Sequence, residues 1–250
     1  MKRIFACFAA LACFAVSAHA EETQVAVAAN FTAPMKQIAE AFQKDTGHRA
    51  QLTFGSTGKL YAQIKNGAPF DILLSADEKT PARLVEEGAG VAGSNFPYAI
   101  GTLVLWSAQP DFVDAEGKVL QNGKFEHLAI ADARNAPYGA AAEAVLRALN
   151  LYEPLQARFV TGENIGQTYQ FVASGNAELG FVALSQIMAG GKVSRGSYWQ
   201  PAADLYPTIR QDAVLLKRAE NNAAARALLD YLRGERAHAV LRDFGYAIPE

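Results

Sequence analysis

Four short segments of this 250-residue chain carry the small and hydroxyl side chains suited to donating hydrogen bonds to an anion. They are Ala29-Asn30-Phe31-Thr32, Gly55-Ser56-Thr57-Gly58, Ala136-Pro137-Tyr138-Gly139 and Glu163-Asn164-Ile165-Gly166. Each follows an apolar run and opens a stretch of helical period. The first N–H groups of a helix have no intrahelical acceptor, and the aligned peptide dipoles place about half a positive charge there. Such an end binds an anion without lysine or arginine. Any one of these loops is explained as well by ordinary capping and turning, because Ser, Thr and Asn are common N-caps and Gly is common in turns. Four together predict a cleft lined by neutral donors. An unprotonated oxyanion has only acceptors, and a hydrogen bond to a charged group contributes roughly 1.5–3 kcal/mol, so several would hold it after the losses on binding.

Other chemistries fit these residues less well. Gly55 to Leu60 has a superficial likeness to a phosphate loop, but Thr53 stands where the first glycine belongs and Leu60 where Ser or Thr must hold magnesium. Lys59 is therefore expected at the cleft rim or in solvent. Ser56 or Thr57 as a nucleophile would need a base at hand, and no Ser-His-Asp or Ser-Lys spacing supplies one. His48, His127 and His238 are far apart and lack ligand spacing, so a metal centre with protein ligands is not expected. Tyr61, Tyr98, Tyr198 and Tyr206 lack the acidic neighbours of a ferric site. Trp106 lies in a strand pattern and reads as core; Trp199 follows Gly196-Ser197-Tyr198 and reads as a surface loop residue rather than a sugar platform.

The elements that must position the four turns alternate as βα units do. Strands are predicted at 24–29, 50–54, 71–75, 127–131, 158–161 and 179–184, and helices at 33–45, 58–67, 80–88, 139–149, 166–174 and 223–233. In an open α/β sheet, ligands sit outside the carboxyl ends of the strands, where all four turns fall. Two extended segments, 98–107 and 206–217, interrupt the alternation about a hundred residues apart. They predict two crossings between lobes: lobe I from 21–99 plus 208–250, and lobe II from 100–207. The alternative is one continuous doubly wound sheet with 206–217 as an edge strand.

Residues 1–20 read as an export signal, with Lys2 and Arg3, an apolar stretch over 4–16 and the small-x-small site Ala18-His19-Ala20. The apolar run is shorter than the roughly 20 residues of a membrane-spanning helix, and a lipid-anchor reading through Cys13 meets an unsuitable preceding sequence. Both cysteines, Cys7 and Cys13, fall inside this signal, so the expected exported chain has no disulfide and no thiolate ligand. The chain holds 23 Lys plus Arg against 25 Asp plus Glu. Without Lys2 and Arg3 the balance is 21 against 25, a net of −4, and nothing draws nucleic acid. An anion must then be held by local dipoles.

The stretches Val25 to Thr32, Phe54 to Ile64, Asn66 to Asp77, Ala136 to Gly139 and Leu179 to Gln186 resemble, in order and spacing, the periplasmic molybdate-binding proteins of ABC transporters. That resemblance covers nearly all of the chain after the leader. It implies an α/β, two-lobed periplasmic-binding-protein fold of type II, each lobe a mainly parallel sheet flanked by helices, and a receptor rather than an enzyme. It implies molybdate or tungstate as ligand, no cofactor, molybdenum held only as the oxyanion, a membrane permease and a cytoplasmic ATPase as partners, and a monomer in the periplasm. The family's ligand positions fall on Asn30, on Thr57 with Ser56 beside it, and on the backbone N–H groups of Tyr138 and Ile165, with Ala29 and Ala183 as further candidates. Some members place a tyrosine hydroxyl where this chain has Ala183. The two N–H donors of the Asn30 amide are the expected substitute.

Overall fold

The computed structural model describes residues 20–249, so the expected leader lies outside the described residues except for Ala20. Along the chain, β1 (Glu22–Ala28) leads through a 3-10 turn (Ala29–Phe31) into α1 (Thr32–Thr46), followed by β2 (Arg49–Gly55), α2 (Thr57–Lys65), β3 (Ile72–Leu74) and α3 (Lys79–Glu86). Next come β4 (Phe96–Gly101), β5 (Leu103–Ser107), α4 (Val119–Asn122), β6 (Leu128–Ala131), α5 (Pro137–Ala148), α6 (Tyr152–Leu155), β7 (Phe159–Gly162), α7 (Ile165–Ala173), β8 (Leu179–Ala183) and α8 (Leu184–Ile187). A small hairpin of β9 (Met188–Ala189) and β10 (Lys192–Val193) precedes β11 (Ser197–Trp199), β12 (Ile209–Leu215), α9 (Ala223–Leu232) and α10 (Glu235–Asp243).

Two five-stranded sheets result, ordered β2-β1-β3-β12-β4 and β11-β5-β8-β6-β7. In the first, β1 runs parallel to β2 and β3 while β12 runs antiparallel to β3 and β4; in the second, β6 runs parallel to β7 and β8 while β5 runs antiparallel to β8 and β11. The sheets are therefore mixed but mainly parallel in strand direction, as expected, with β12 alone opposed in the first and β5 alone in the second. The strands next to the crossings enter each sheet from the other lobe and so run against the βα units. Residues 98–107 form two strands rather than one: β4 ends at Gly101 in the first sheet and β5 starts at Leu103 in the second. β12 is bonded on both sides, between β3 and β4, so it is not the edge strand of a single continuous sheet. Trp199 lies in β11 instead of a loop, and Trp106 is fully buried.

Each sheet buries both faces, which is why its central strands read as continuous apolar runs. In lobe I, Val25, Val27, Ile72 and Leu74 pack with Met35, Ile38 and Phe42 of α1 and with Leu228 and Leu241 of α9 and α10. The alternate residues Ala26, Leu73 and Val214 pack with Leu60 and Leu84 on the other face. α1 stops at Gly47, whose left-handed φ of 78° lets its N–H close on Gln43 O at 2.9 Å. Lobe II divides in the same way: Leu103, Leu105, Leu128 and Ile130 face α5, and Val104, Trp106 and Val182 face Val172 of α7.

Candidate functional site

The four turns meet at the carboxyl ends of β1, β2, β6 and β7. Ala29, Asn30, Ser56, Thr57, Tyr138 and Ile165 all line one cavity between the lobes, and among the described residues no charged one lines it. Ala183 is not among the lining residues: it is buried at the end of β8, and its N–H is taken by Gln186 Oε1 at 2.9 Å.

Each turn exposes donors for a local reason. Ser56 is the N-cap of α2, but its side chain makes no capping bond, and its buried Oγ has no partner. Pro137 takes the first helical position of α5 and brings no N–H, so the first free donor of that helix is Tyr138 N–H. The loop before it is pinned by Ala136 N–H and Asn135 N–H donating to Asp132 O at 2.8 and 3.1 Å. Arg134 beside the Asp132 carboxyl holds it down at about 2. At α7, Asn164 Oδ1 accepts from Gln167 N–H at 3.0 Å, which satisfies the third turn donor and leaves Ile165 N–H first in line.

The lobes touch around this cavity. Gly58 N–H donates to Asn135 O at 2.9 Å, and a Cβ on Gly58 would stand 3.0 Å from Asn135 Cα, so this approach needs glycine. Ser185 Oγ donates to Asn30 O at 2.9 Å. Lys59 Nζ pairs with Glu163 Oε2 at 2.8 Å at the exposed rim, which accounts for both charges outside the cavity. A larger open cleft adjoins, lined in part by Asp77, Glu78, Arg134 and Arg210. Its two arginines are already paired, Arg210 with Asp212 and Glu78 and Arg134 with Asp132, so the donors converge on the smaller cavity instead.

Two side chains are placed differently from expectation. The Thr57 hydroxyl turns into lobe I, where it accepts Ala76 N–H at 3.0 Å and meets Ser75 Oγ at 3.4 Å; the hydroxyl without a partner is that of Ser56. Asn30 Nδ2 donates to Gln211 Oε1 at 2.8 Å and to Tyr246 Oη at 2.9 Å, so both amide protons are committed and Asn30 Oδ1 is left buried without a partner. Gln211 and Tyr246 come from 181 and 216 residues further along the chain, and no local sequence signal marks them. Burial raises the Tyr246 hydroxyl to about 12 and those of Tyr98 and Tyr138 well above the usual tyrosine range, so all three stay protonated near neutrality.

Elsewhere Glu126, His127 and Glu178 lie within 4.8 Å of one another, at the amino end of β6 and so away from the cavity. Glu178 is already used there, accepting His127 N–H at 2.9 Å.

The family described as bacterial extracellular solute-binding proteins matches residues 23–247. The chain is 56% identical over 234 residues to the molybdate-binding protein ModA of Azotobacter vinelandii, covering 94% of this chain and 93% of that one. It is 51% identical to the molybdate-binding protein ModA of Rhodobacter capsulatus, covering 93% and 90%. Among solved structures, an Azotobacter vinelandii periplasmic molybdate-binding protein superposes with a TM-score of 0.89 at 43% identity, over 91% of this chain and 100% of that one.

Proposed function

Because the chain belongs to the molybdate-binding proteins within the bacterial extracellular solute-binding family, we propose that its neutral interlobe cavity holds the oxyanion by hydrogen bonds alone. Membership makes it the periplasmic substrate-binding component of a molybdate ABC importer, served by a membrane permease and an ATPase, and not an enzyme. The observation that carries the hydrogen-bond reading is the buried, unpartnered Ser56 Oγ in a cavity that also receives the first free N–H groups of α5 and α7. A buried hydroxyl left unpaired costs on the order of 1–3 kcal/mol, and an acceptor-only ligand removes that cost.

Ser56, Tyr138 N–H and Ile165 N–H supply donors in this reading, Ala29 and Thr57 shape the wall, and Asn30 presents its carboxamide to the cavity. The lobe limits are proposed at 21–99 plus 208–250 and 100–207, with closure about the two crossings. Cleavage of residues 1–20, a monomeric state and the absence of any cofactor or nucleic-acid partner belong to the same proposal. No described helix is long and apolar enough to cross a membrane. Tungstate is bound alongside molybdate, because an unprotonated tetrahedral dianion of similar size presents the same acceptors.

Phosphate is disfavoured because near neutrality it carries a proton, and among the described residues no carboxylate lines the cavity to accept it. Sulfate lacks that proton, but its shorter bonds stretch the donors of a rigid site. Calorimetric titration of the mature protein tests this: tight binding of molybdate and tungstate, with much weaker sulfate and phosphate, is the expected result. Equal affinity for sulfate and molybdate would refute it.

A further inference from the structure

We infer that Gln211 is a positioning residue for the anion site, one whose carboxamide turns over together with that of Asn30 and thereby decides which end of Asn30 the ligand meets. The inference rests on the proposed function and concerns a residue, Gln211, that does not itself line the cavity.

Gln211 is fully buried on β12, beside a register shift in its pairing with β4. In the arrangement described, its Oε1 accepts from Asn30 Nδ2 at 2.8 Å and from Tyr98 Oη at 3.1 Å, and its Nε2 donates to Tyr138 Oη at 3.3 Å. Asn30 Oδ1 has no partner, and an acceptor at a cavity wall repels an oxyanion. A carboxamide exchanges its two ends by a half-turn of its last torsion, with almost no change of shape. Turning Asn30 and Gln211 together keeps every contact within the network and leaves only Asn30 Nδ2 facing the cavity. Gln211 Nε2 then donates to Asn30 Oδ1 and to Tyr98 Oη, whose own proton goes to Ser75 O at 2.9 Å. Gln211 Oε1 accepts the Tyr138 hydroxyl proton. Tyr246 donates to Asn30 Oδ1, and Ser185 continues to donate to Asn30 O. Asn30 Nδ2 takes the place of the unpaired oxygen and becomes a donor at the cavity wall.

Neither carboxamide can turn alone, because an oxygen would then face an oxygen or an N–H an N–H across the 2.8 Å contact. The tyrosines adapt to either sense, since a hydroxyl both donates and accepts. The network also spans the lobes, joining Asn30, Tyr98 and Gln211 of lobe I to Tyr138 of α5 and Ser185 of α8 in lobe II. Gly101 leaves the room it needs: a Cβ there would stand 2.0 Å from Tyr138 Oη and 2.5 Å from Gln211 Nε2.

The test is a double-mutant cycle on the mature protein, titrated calorimetrically with sodium molybdate. Gln211→Met keeps the shape and removes both ends of the amide; it is expected to weaken binding roughly tenfold, about one hydrogen bond. In an Asn30→Ala background the same change is expected to cost less than about twofold, because Gln211 then has nothing to orient. A Gln211→Met protein that binds like wild type, or that loses the same factor in both backgrounds, overturns the inference. Gln211→Leu gives the same cycle if Gln211→Met does not fold. Wild-type protein that fails to bind molybdate overturns the functional reading as well, whereas the other adverse outcomes leave that reading intact.

Discussion

Removing the Ser56 hydroxyl should move affinity and stability in opposite directions. Ser56 Oγ is buried, bonds to no group among the described residues and makes no capping bond to α2, so Ser56→Ala removes an unsatisfied group and no contact. Recovering that desolvation is worth on the order of 1 kcal/mol, a rise of about 2–4 °C in melting temperature for a protein of this size. With molybdate bound, the same change deletes a hydrogen bond to a charged ligand, about 1.5–3 kcal/mol, or roughly ten- to 150-fold in Kd. Thr57→Ala next door should behave in the reverse manner. Its hydroxyl accepts Ala76 N–H at 3.0 Å, so the truncation leaves a buried donor unpaired and costs about 1–3 kcal/mol of stability, with a smaller loss of affinity than at Ser56. Scanning calorimetry without ligand and titration with molybdate read the two quantities separately. A Ser56→Ala protein that is less stable and binds as well as wild type would refute the assignment of Ser56 as the free donor.

Gly101→Ala should destabilise the fold by about 1–3 kcal/mol through overpacking against Tyr138 and Gln211; an unchanged urea midpoint would count against a crowded crossing. Lys59→Ala should change affinity less than about fivefold, because its pair with Glu163 is exposed and such pairs contribute about 0–1 kcal/mol, and a loss of a hundredfold would place Lys59 on the ligand. Stability should fall above pH 10: Tyr246 titrates near 10 when unfolded and at about 12 when folded, so the unfolded chain ionises first. The contribution is whole below pH 10, and about 2 kcal/mol of it is lost by pH 12. Urea melts between pH 8 and 11.5 test this, and a flat profile would contradict the burial of that hydroxyl.

The turns were legible because their signals are local. A helix start announces itself through Pro137, Asn164 or Ser56, and alternation or helical period marks what precedes and follows it. The break of 98–107 at Thr102 was not legible, because both halves are apolar and extended and only their partners differ, β12 for one and β8 for the other. The direction of the Thr57 and Asn30 side chains was hidden for the same reason. Thr57 is claimed by Ala76, and Asn30 by Gln211 and Tyr246, and these are tertiary facts with no periodicity. Ser56 and Thr57 are chemically near-equivalent on paper, and a single backbone N–H from the following βα loop separates their roles.

β12 lies between β3 and β4 in space, yet it follows all of lobe II in the chain. Until residues 209–215 arrive, β3 and β4 each present an unsatisfied row of N–H and C=O groups where their missing neighbour belongs. Lobe II draws all of its strands from one uninterrupted stretch, 103–199, and has no such wait. Non-local pairing of this kind slows folding and prolongs the life of open strand edges. The two halves should consequently mature at different rates, lobe II early and lobe I late, and self-association during refolding should begin at the gap beside β3.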